Sequence, residues 1–185
     1  MTQNITIFKN VRDINTPFHR NIDTILERIS AGSSKDLIKK IRSEKDKIKR
    51  QELKTQLPAI CFSGTFNKRS DKSIEDHSGL ICLDFDGYEK KKDLIAEKEK
   101  LSKDKHVFCV FISPSGNGLK ALIKIPADIE NHVRYFNALE VHFNTPRFDT
   151  TSKNISRVCY ESYDPLMYIN KDSVLWDKLQ EIEYK

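Results

Sequence analysis

Apolar and polar positions along this chain switch between two periods. Ile5-Thr6-Ile7-Phe8 alternates and predicts a short first strand. Residues 12–20 read as irregular, with Thr16-Pro17 as a breaker. Ile22, Ile25, Leu26 and Ile29 recur at helical spacing, and Ala31-Gly32 ends the run. Ser33 or Ser34 is placed to cap a second helix carrying Leu37, Ile38 and Ile41. A basic stretch continues it, with or without a break, to Leu53, and Pro58 stops it.

Ala59-Ile60-Cys61-Phe62 is a second apolar run, and residues 67–76 read as a polar surface loop. Leu80-Ile81-Cys82-Leu83-Asp84-Phe85-Asp86-Gly87 is an apolar strand that ends in two aspartates and a glycine. Side chains alternate in a strand, so Ile81, Leu83 and Phe85 share one face and Cys82, Asp84 and Asp86 the other. Residues 90–103 form a lysine-rich amphipathic helix with Leu94, Ile95 and Leu101 inward. Val107–Ile112 is apolar on both faces, which predicts a covered central strand. Leu119, Ala121, Ile123 and Ile125 alternate along a hairpin strand that Pro126 closes. A helix is predicted over 128–143 with Val133, Phe136, Leu139 and Phe143 at helical spacing, a strand over 157–160, and a last helix over 173–183. The pattern is α+β, with a sheet built from hairpins as well as crossovers.

Composition narrows the class. Hydrophobic residues make up 38% and charged residues 32%, with a mean hydropathy of −0.58. No apolar run reaches membrane-spanning length and no secretory signal is visible, so a cytoplasmic protein without a membrane partner is expected. Cys61, Cys82, Cys109 and Cys159 lie in separate apolar segments, a spacing that suits buried thiols rather than a zinc site or a disulfide framework. The net charge is +5, and residues 35–54, with nine basic and four acidic side chains, account for all of it. Lys39, Arg42, Lys49 and Arg50 in this stretch suit a nucleic-acid backbone; a solvated helix face laced with ion pairs is the other reading.

The chemistry gathers at four places. Asp84 and Asp86 repel unless a cation lies between them, and oxygen-only ligation suits Mg²⁺ or Mn²⁺; solvated carboxylates at a strand end are the alternative. The loop Ser113-Pro114-Ser115-Gly116-Asn117-Gly118-Leu119-Lys120 combines two glycines, hydroxyls, an amide and a fixed positive charge, which together suit a triphosphate held by a backbone anion nest; glycine in a plain hairpin turn is the other reading. Asp149 lies in a polar loop, and Arg157 begins the strand that follows. Carboxylates, two metal ions and basic groups on a triphosphate are the parts of a two-metal nucleotidyl-transfer site. No Gly-x-x-x-x-Gly-Lys-Ser/Thr occurs, so ATP hydrolysis by that route is not expected.

In this order the motifs resemble the archaeo-eukaryotic primase (primase-polymerase) superfamily, in the N-terminal domain type found joined to VirE-like helicase regions. The carriers are Leu57-Pro58-Ala59-Ile60-Cys61-Phe62-Ser63-Gly64-Thr65-Phe66, His77-Ser78-Gly79 leading into the Asp84-Phe85-Asp86 strand, the Ser113 to Lys120 loop, and the span from Asp149 to Asp164-Pro165. The resemblance implies an RRM-like mixed or antiparallel sheet with helices on one face plus a small N-terminal αβ lobe. It makes Asp84 and Asp86 metal-binding catalytic acids, Asp149 the third acid, and Arg157 a contact to nucleotide or template. Ser113, Ser115, Gly116, Asn117, Gly118 and Lys120 then hold the phosphates, although Lys120 stands where the family places a histidine. Lysine binds phosphate as a point charge but does not reproduce neutral imidazole chemistry.

The implied function is metal-dependent DNA primase or polymerase activity with Mg²⁺ or Mn²⁺, a DNA template and nucleoside triphosphates, in the replication of a bacterial, mobile-element or phage replicon. Residues 1–185 would be one catalytic domain, with a helical, basic part over 1–57 and a sheet-bearing core over 58–185. It would be a piece of a longer primase-helicase or the partner of a helicase chain. The competing reading is a catalytically degenerate DNA- or nucleotide-binding module of a replicative helicase, supported by Lys120 and the basic helix. Asp84-Phe85-Asp86-Gly87 also matches the opening of haloacid-dehalogenase-like phosphatases, though no later acid pair follows an apolar run, and the same acids would serve a metal-dependent nuclease.

Overall fold

A computed structural model describes residues 3–180. In chain order the elements are β1 (Asn4–Phe8), β2 (Phe18–Asn21), α1 (Ile22–Ala31), α2 (Lys35–Ser43), α3 (Lys47–Lys54), β3 (Ala59–Cys61), β4 (Gly64–Phe66), β5 (Ile74–His77), β6 (Leu80–Phe85), α4 (Lys91–Ser102), β7 (Val107–Ile112), β8 (Leu119–Lys124), α5 (His132–Phe143), β9 (Cys159–Tyr160) and β10 (Tyr168–Ile169). The class is α+β, as the alternating periods predict.

Two four-stranded antiparallel sheets carry the architecture. One has the order β2-β1-β3-β9 and the other β10-β7-β8-β6. A β4-β5 hairpin stands beside them. The second sheet is two-faced because its strands obey the two-residue period. Ile81, Leu83, Phe85, Val110, Ala121 and Ile123 bury one face against Leu94 and Leu101 of α4 and Tyr135, Phe136 and Leu139 of α5. Leu80, Cys109, Phe111 and Leu122 on the opposite face meet Ile5, Ile7 and Ile60 of the first sheet, joined by Ile22, Ile25, Leu26 and Ile29 of α1. Helices therefore cover one face of the second sheet, and the first sheet with α1 covers the other. Burying each of these aliphatic side chains contributes roughly 1.5–3 kcal/mol.

Local rules set the element ends. The Asn21 side chain accepts from Asp23 N at the start of α1, and Asp46 accepts from Ile48 N and Lys49 N at the start of α3. The basic stretch is two helices, parted at 44–46. Ser34 precedes α2, but its hydroxyl donates to the buried Glu161 carboxylate instead of capping the helix. That carboxylate also receives Nε of Arg28 at 2.6 Å.

Four expectations are corrected. Residues 18–20, expected to be irregular, belong to β2, which pairs with β1 because the turn at 10–16 is closed by Asn10 and Asp13 side chains and brings the chain back. The expected loop at 67–76 contains a 3₁₀ turn at Asp71–Ser73 and then β5, which pairs with β4 from Gly64↔His77 onward. In α5 the buried positions are His132, Tyr135, Phe136 and Leu139, while Val133 lies outward; the helix begins at His132 rather than 128, after Asp128 accepts from Asn131 N in a local turn. The expected helix over 173–183 does not form over 173–180: Val174 N donates to Lys105 O and Trp176 N to Lys124 O, both 2.8 Å, so the backbone is committed to other elements. Residues 181–183 of that expectation lie outside the described residues.

Candidate active site

Strand parity places the two acids. Asp84 is directly opposite Lys120 in the β6–β8 register, and Lys120 is opposite Phe111 of β7. Opposite residues share a face, so Asp84 and Lys120 point the same way, toward the first sheet. The Lys120 ammonium donates to Asp84 Oδ2, and the two side chains are 15% and 14% exposed. On its other edge the end of β6 meets the segment after α5. Phe85 bridges Phe148, Asp86 N donates to Arg147 O and Asp149 N to Asp84 O, both at 2.8 Å. Lys120, Asp84 and Asp149 thus form a row across three adjacent segments of the chain. Lys124, at the other end of β8, stands opposite Leu80 and donates to Lys171 O at 2.6 Å, away from this row.

The glycine loop is built around the acids. Gly116 has φ +79, a left-handed conformation that closes the turn. Gly118 has no room for a side chain: a Cβ there would run into the Asp86 carboxylate and lie 3.0 Å from Phe85 O and 3.2 Å from Ser113 Oγ. Ser113 N donates to Gly118 O at 2.8 Å and Gly116 N to Ser113 O at 2.9 Å, so these two N–H groups close the loop itself and do not belong to the expected anion nest. Arg42 braces the loop from α2, donating to Ser113 O at 3.1 Å and Tyr163 O at 2.9 Å. Asp164 holds the preceding residue by accepting from Ile112 N at 2.9 Å, and is itself neutralised by Lys98 at 2.6 Å.

Asp84, Asp86, Asp149, Ser113, Ser115, Asn117, Lys120 and Arg157 all line one cavity. Gly116 and Gly118 are not among its lining residues; they shape the loop that carries Ser113, Ser115 and Asn117. Arg157 donates to Thr151 O at 2.5 Å. The basic candidates divide. Arg50 donates to Glu44 O at 2.9 Å and, with Lys47, flanks a groove that shares Lys54, Asp86, Ser115 and Asn117 with the cavity. Arg42 is a brace for the loop, and Lys39 and Lys49 are exposed on the helices and line neither space. Sequence reasoning missed Lys54, the last residue of α3, and His132, the first of α5, which line the cavity too. Lys54 was legible only as one basic residue among nine in its stretch. Nothing in the sequence singles out His132 except its place at a helix start.

The electrostatics are uneven. Burial, and then the Asp84 carboxylate, push Asp86 above the ordinary carboxylate range. Burial raises Asp149 as well, but hydrogen bonds from Ser152 and Thr151 outweigh it and leave Asp149 below that range. Burial lowers Lys120, yet its anionic surroundings, Asp84 among them, win and hold the ammonium above the usual lysine range. Burial lowers Lys54, with partial compensation from Asp86. Asp84 Oδ1 and Ser113 Oγ are buried without a hydrogen-bond partner among the described residues.

The donor chemistry at Asp84 and Asp86 fits a hard divalent cation: two adjacent carboxylates, one with an orphaned buried oxygen. Asp149 is engaged locally, accepting from Thr151 N at 2.9 Å and Ser152 Oγ at 2.5 Å. Among the described residues no three His, Cys, Asp or Glu side chains stand together as a ready metal cage.

Comparisons with known proteins place the chain. No curated protein matches it. It is similar to the AEP domain of the cyanophage S-2L primase-polymerase (PrimPol), at 15% identity and a TM-score of 0.47 over 95% of this chain and 84% of that one. A family model described as "BT4734-like, N-terminal domain" matches residues 52–169, from the end of α3 through β10, a span that holds both acids, the glycine loop, Asp149 and Arg157. The chain belongs to the BT4734-like N-terminal domain family.

Proposed function

We propose that this domain carries out metal-dependent nucleotidyl transfer, extending or starting a nucleic-acid strand on a DNA template from nucleoside triphosphates. The observation that carries the reading is the convergence of Asp84, Asp86 and Asp149 with Lys120, Arg157 and the glycine loop in one cavity. Asp84, through its orphaned Oδ1, and Asp86 would hold Mg²⁺ or Mn²⁺, with Asp149 beside them. Such a cation supplies Lewis-acid stabilisation of the developing charge and lowers the pKa of a coordinated hydroxyl. Lys120 and Arg157 would bind the phosphates as cations, with the Ser113, Ser115 and Asn117 side chains at the rim. Lys120 neutralises Asp84 here; on nucleotide binding its ammonium would turn to a phosphate oxygen. Arg50 and Lys49 would draw the template backbone toward the adjoining groove, with Lys39 and Arg42 as further contacts on α2.

Primer extension with Mg²⁺ or Mn²⁺ tests this, comparing wild type with Asp84→Ala/Asp86→Ala. Incorporation by wild type and its loss in the variant support it. A folded wild type that incorporates nothing with either metal sinks it.

One observation favours a second reading, a nucleotide- or DNA-binding module without catalysis. Lys120 closes on Asp84, and Asp149 is held by its own loop, so two of the three acids already have partners within the protein. Calorimetry with Mg²⁺ and a deoxynucleoside triphosphate separates the two, since the module binds without turning over. Phosphatase or nuclease chemistry would use the same acids; labelled DNA that shortens instead of lengthening selects the nuclease. Under either main reading the domain works with a helicase domain, in the same or a partner chain, in the cytoplasm during replication of a bacterial, mobile-element or phage replicon. No helix among the described residues is long and apolar enough to cross a membrane.

A further inference from the structure

The cavity has a second end that the nucleotidyl-transfer reading leaves unused. It lies toward the start of β6, where Ile81 is three residues, about 10 Å of strand, from Asp84. Phe62 and Ile155 line it with apolar side chains, and His132 lines it from the start of α5. His132 is 4% exposed.

This imidazole belongs to a hydrogen-bonded chain with a fixed direction. The backbone N–H of Gly79 donates to His77 Nδ1 at 2.9 Å. An N–H can only donate, so His77 Nδ1 is an acceptor and the ring proton sits on Nε2. His77 Nε2 then donates to His132 Nδ1 at 3.0 Å. That makes His132 Nδ1 an acceptor in turn and puts its proton on Nε2. His132 Nε2 has no hydrogen-bond partner among the described residues and is not one of the enclosed orphan atoms, and His132 lines the cavity. Both rings stay neutral at physiological pH: burial pushes His77 down to about 4 and His132 to about 3. The facing charged groups, Asp128 beside His77 and Asp71 beside His132, oppose that depression without cancelling it. The result is a single neutral N–H donor of set tautomer on a residue that lines the cavity.

A neutral donor between apolar walls suits an uncharged acceptor better than a phosphate, which the cations at the other end already serve. We propose that His132 reads the nucleoside half of the bound nucleotide, its Nε2–H donating to an oxygen of the sugar or the base, with His77 as the positioning residue that sets its tautomer. This rests on the nucleotide-binding reading above and names a specificity contact within it.

The test is calorimetry with Mn²⁺ on wild type, His132→Ala, His132→Gln and His77→Ala, using a deoxynucleoside triphosphate, ribose 5-triphosphate and inorganic tripolyphosphate. The deoxynucleotide is expected to bind about tenfold more weakly to His132→Ala, the scale of one lost hydrogen bond, with tripolyphosphate binding unchanged. His132→Gln, which keeps an N–H donor, restores part of the loss, and His77→Ala shows an intermediate one. A loss that persists with ribose 5-triphosphate places the contact on the sugar; one that vanishes places it on the base. Side-chain ¹⁵N spectra of wild type give a readout that needs no variant to fold: the His132 Nε2 resonance should be protonated, and should move with the deoxynucleotide and not with tripolyphosphate. Equal losses for tripolyphosphate and deoxynucleotide, or a silent His132 resonance while the deoxynucleotide binds, overturn the inference and leave nucleotide binding standing. A folded wild type that binds neither ligand removes the nucleotide reading, and this inference with it.

Discussion

Asp84 and Lys120 face each other directly across β6 and β8 and form an ion pair that is almost closed to solvent. Removing one partner of such a pair leaves a buried charge uncompensated, at a cost of about 3–5 kcal/mol, whereas removing both together costs far less. Lys120→Met should therefore lower the urea midpoint sharply, and Asp84→Asn/Lys120→Met should recover most of it. A double-mutant cycle measures this; additive losses would mean that the pair does not form in solution.

Gly118 sits where any Cβ would meet the Asp86 carboxylate. Gly118→Ala should push Asp86 out of place at a stability cost of about 1–3 kcal/mol, typical of overpacking, while the fold survives. Nucleotide incorporation should fall much further than stability. Melting and primer extension on the same preparation separate the two effects.

The metal-free protein should show opposed pH slopes at its acids. Asp86 has a raised folded pKa, from burial and then from Asp84, so it binds a proton more readily folded than unfolded. Its contribution to stability is lost as pH rises through the window above about 3.9, the unfolded value. Asp149 has a lowered folded pKa, because hydrogen bonds from Ser152 and Thr151 outweigh burial; its contribution is present above the unfolded value and is lost as pH falls through the folded one. Asp86→Asn should thus be more stable than wild type at neutral pH, with the gap closing in acid. Asp149→Asn should be less stable at neutral pH and flatter in acid. Urea midpoints across pH check both signs.

Arg50 and Lys47 flank the groove that joins the cavity, while Lys39 lies outside it. Arg50→Ala should reduce the slope of log affinity for single-stranded DNA against log salt by about 0.7, the value for one phosphate contact. Lys39→Ala should change it less. Equal slopes for the two variants would assign DNA contact to the whole basic surface instead of this groove.

Much of the site was legible before folding because strand parity is a local rule. Asp84 and Asp86 end an apolar strand whatever surrounds it, and glycines at 116 and 118 announce a tight loop. The sites the sequence left dark depend on partners distant in the chain. Arg42 reads as one basic residue among nine, yet it braces Ser113 and Tyr163 across 71 and 121 positions. The tail around Trp176 has helical spacing, but its backbone bonds go to Lys105 and Lys124. Phe18–Asn21 has no strong strand signal and pairs because β1 offers it an edge.

Periodicity and turn chemistry alone determined the α+β class, the faces of the central strands and the adjacency of two carboxylates, since each depends on neighbours within a few residues. Tertiary packing decided that Lys120 neutralises Asp84, that Asp149 lies beside it, and that Gly79, His77 and His132 join in one hydrogen-bonded chain at the same cavity. Those contacts join residues tens of positions apart, and only the register between strands and the docking of α5 bring them within hydrogen-bonding distance.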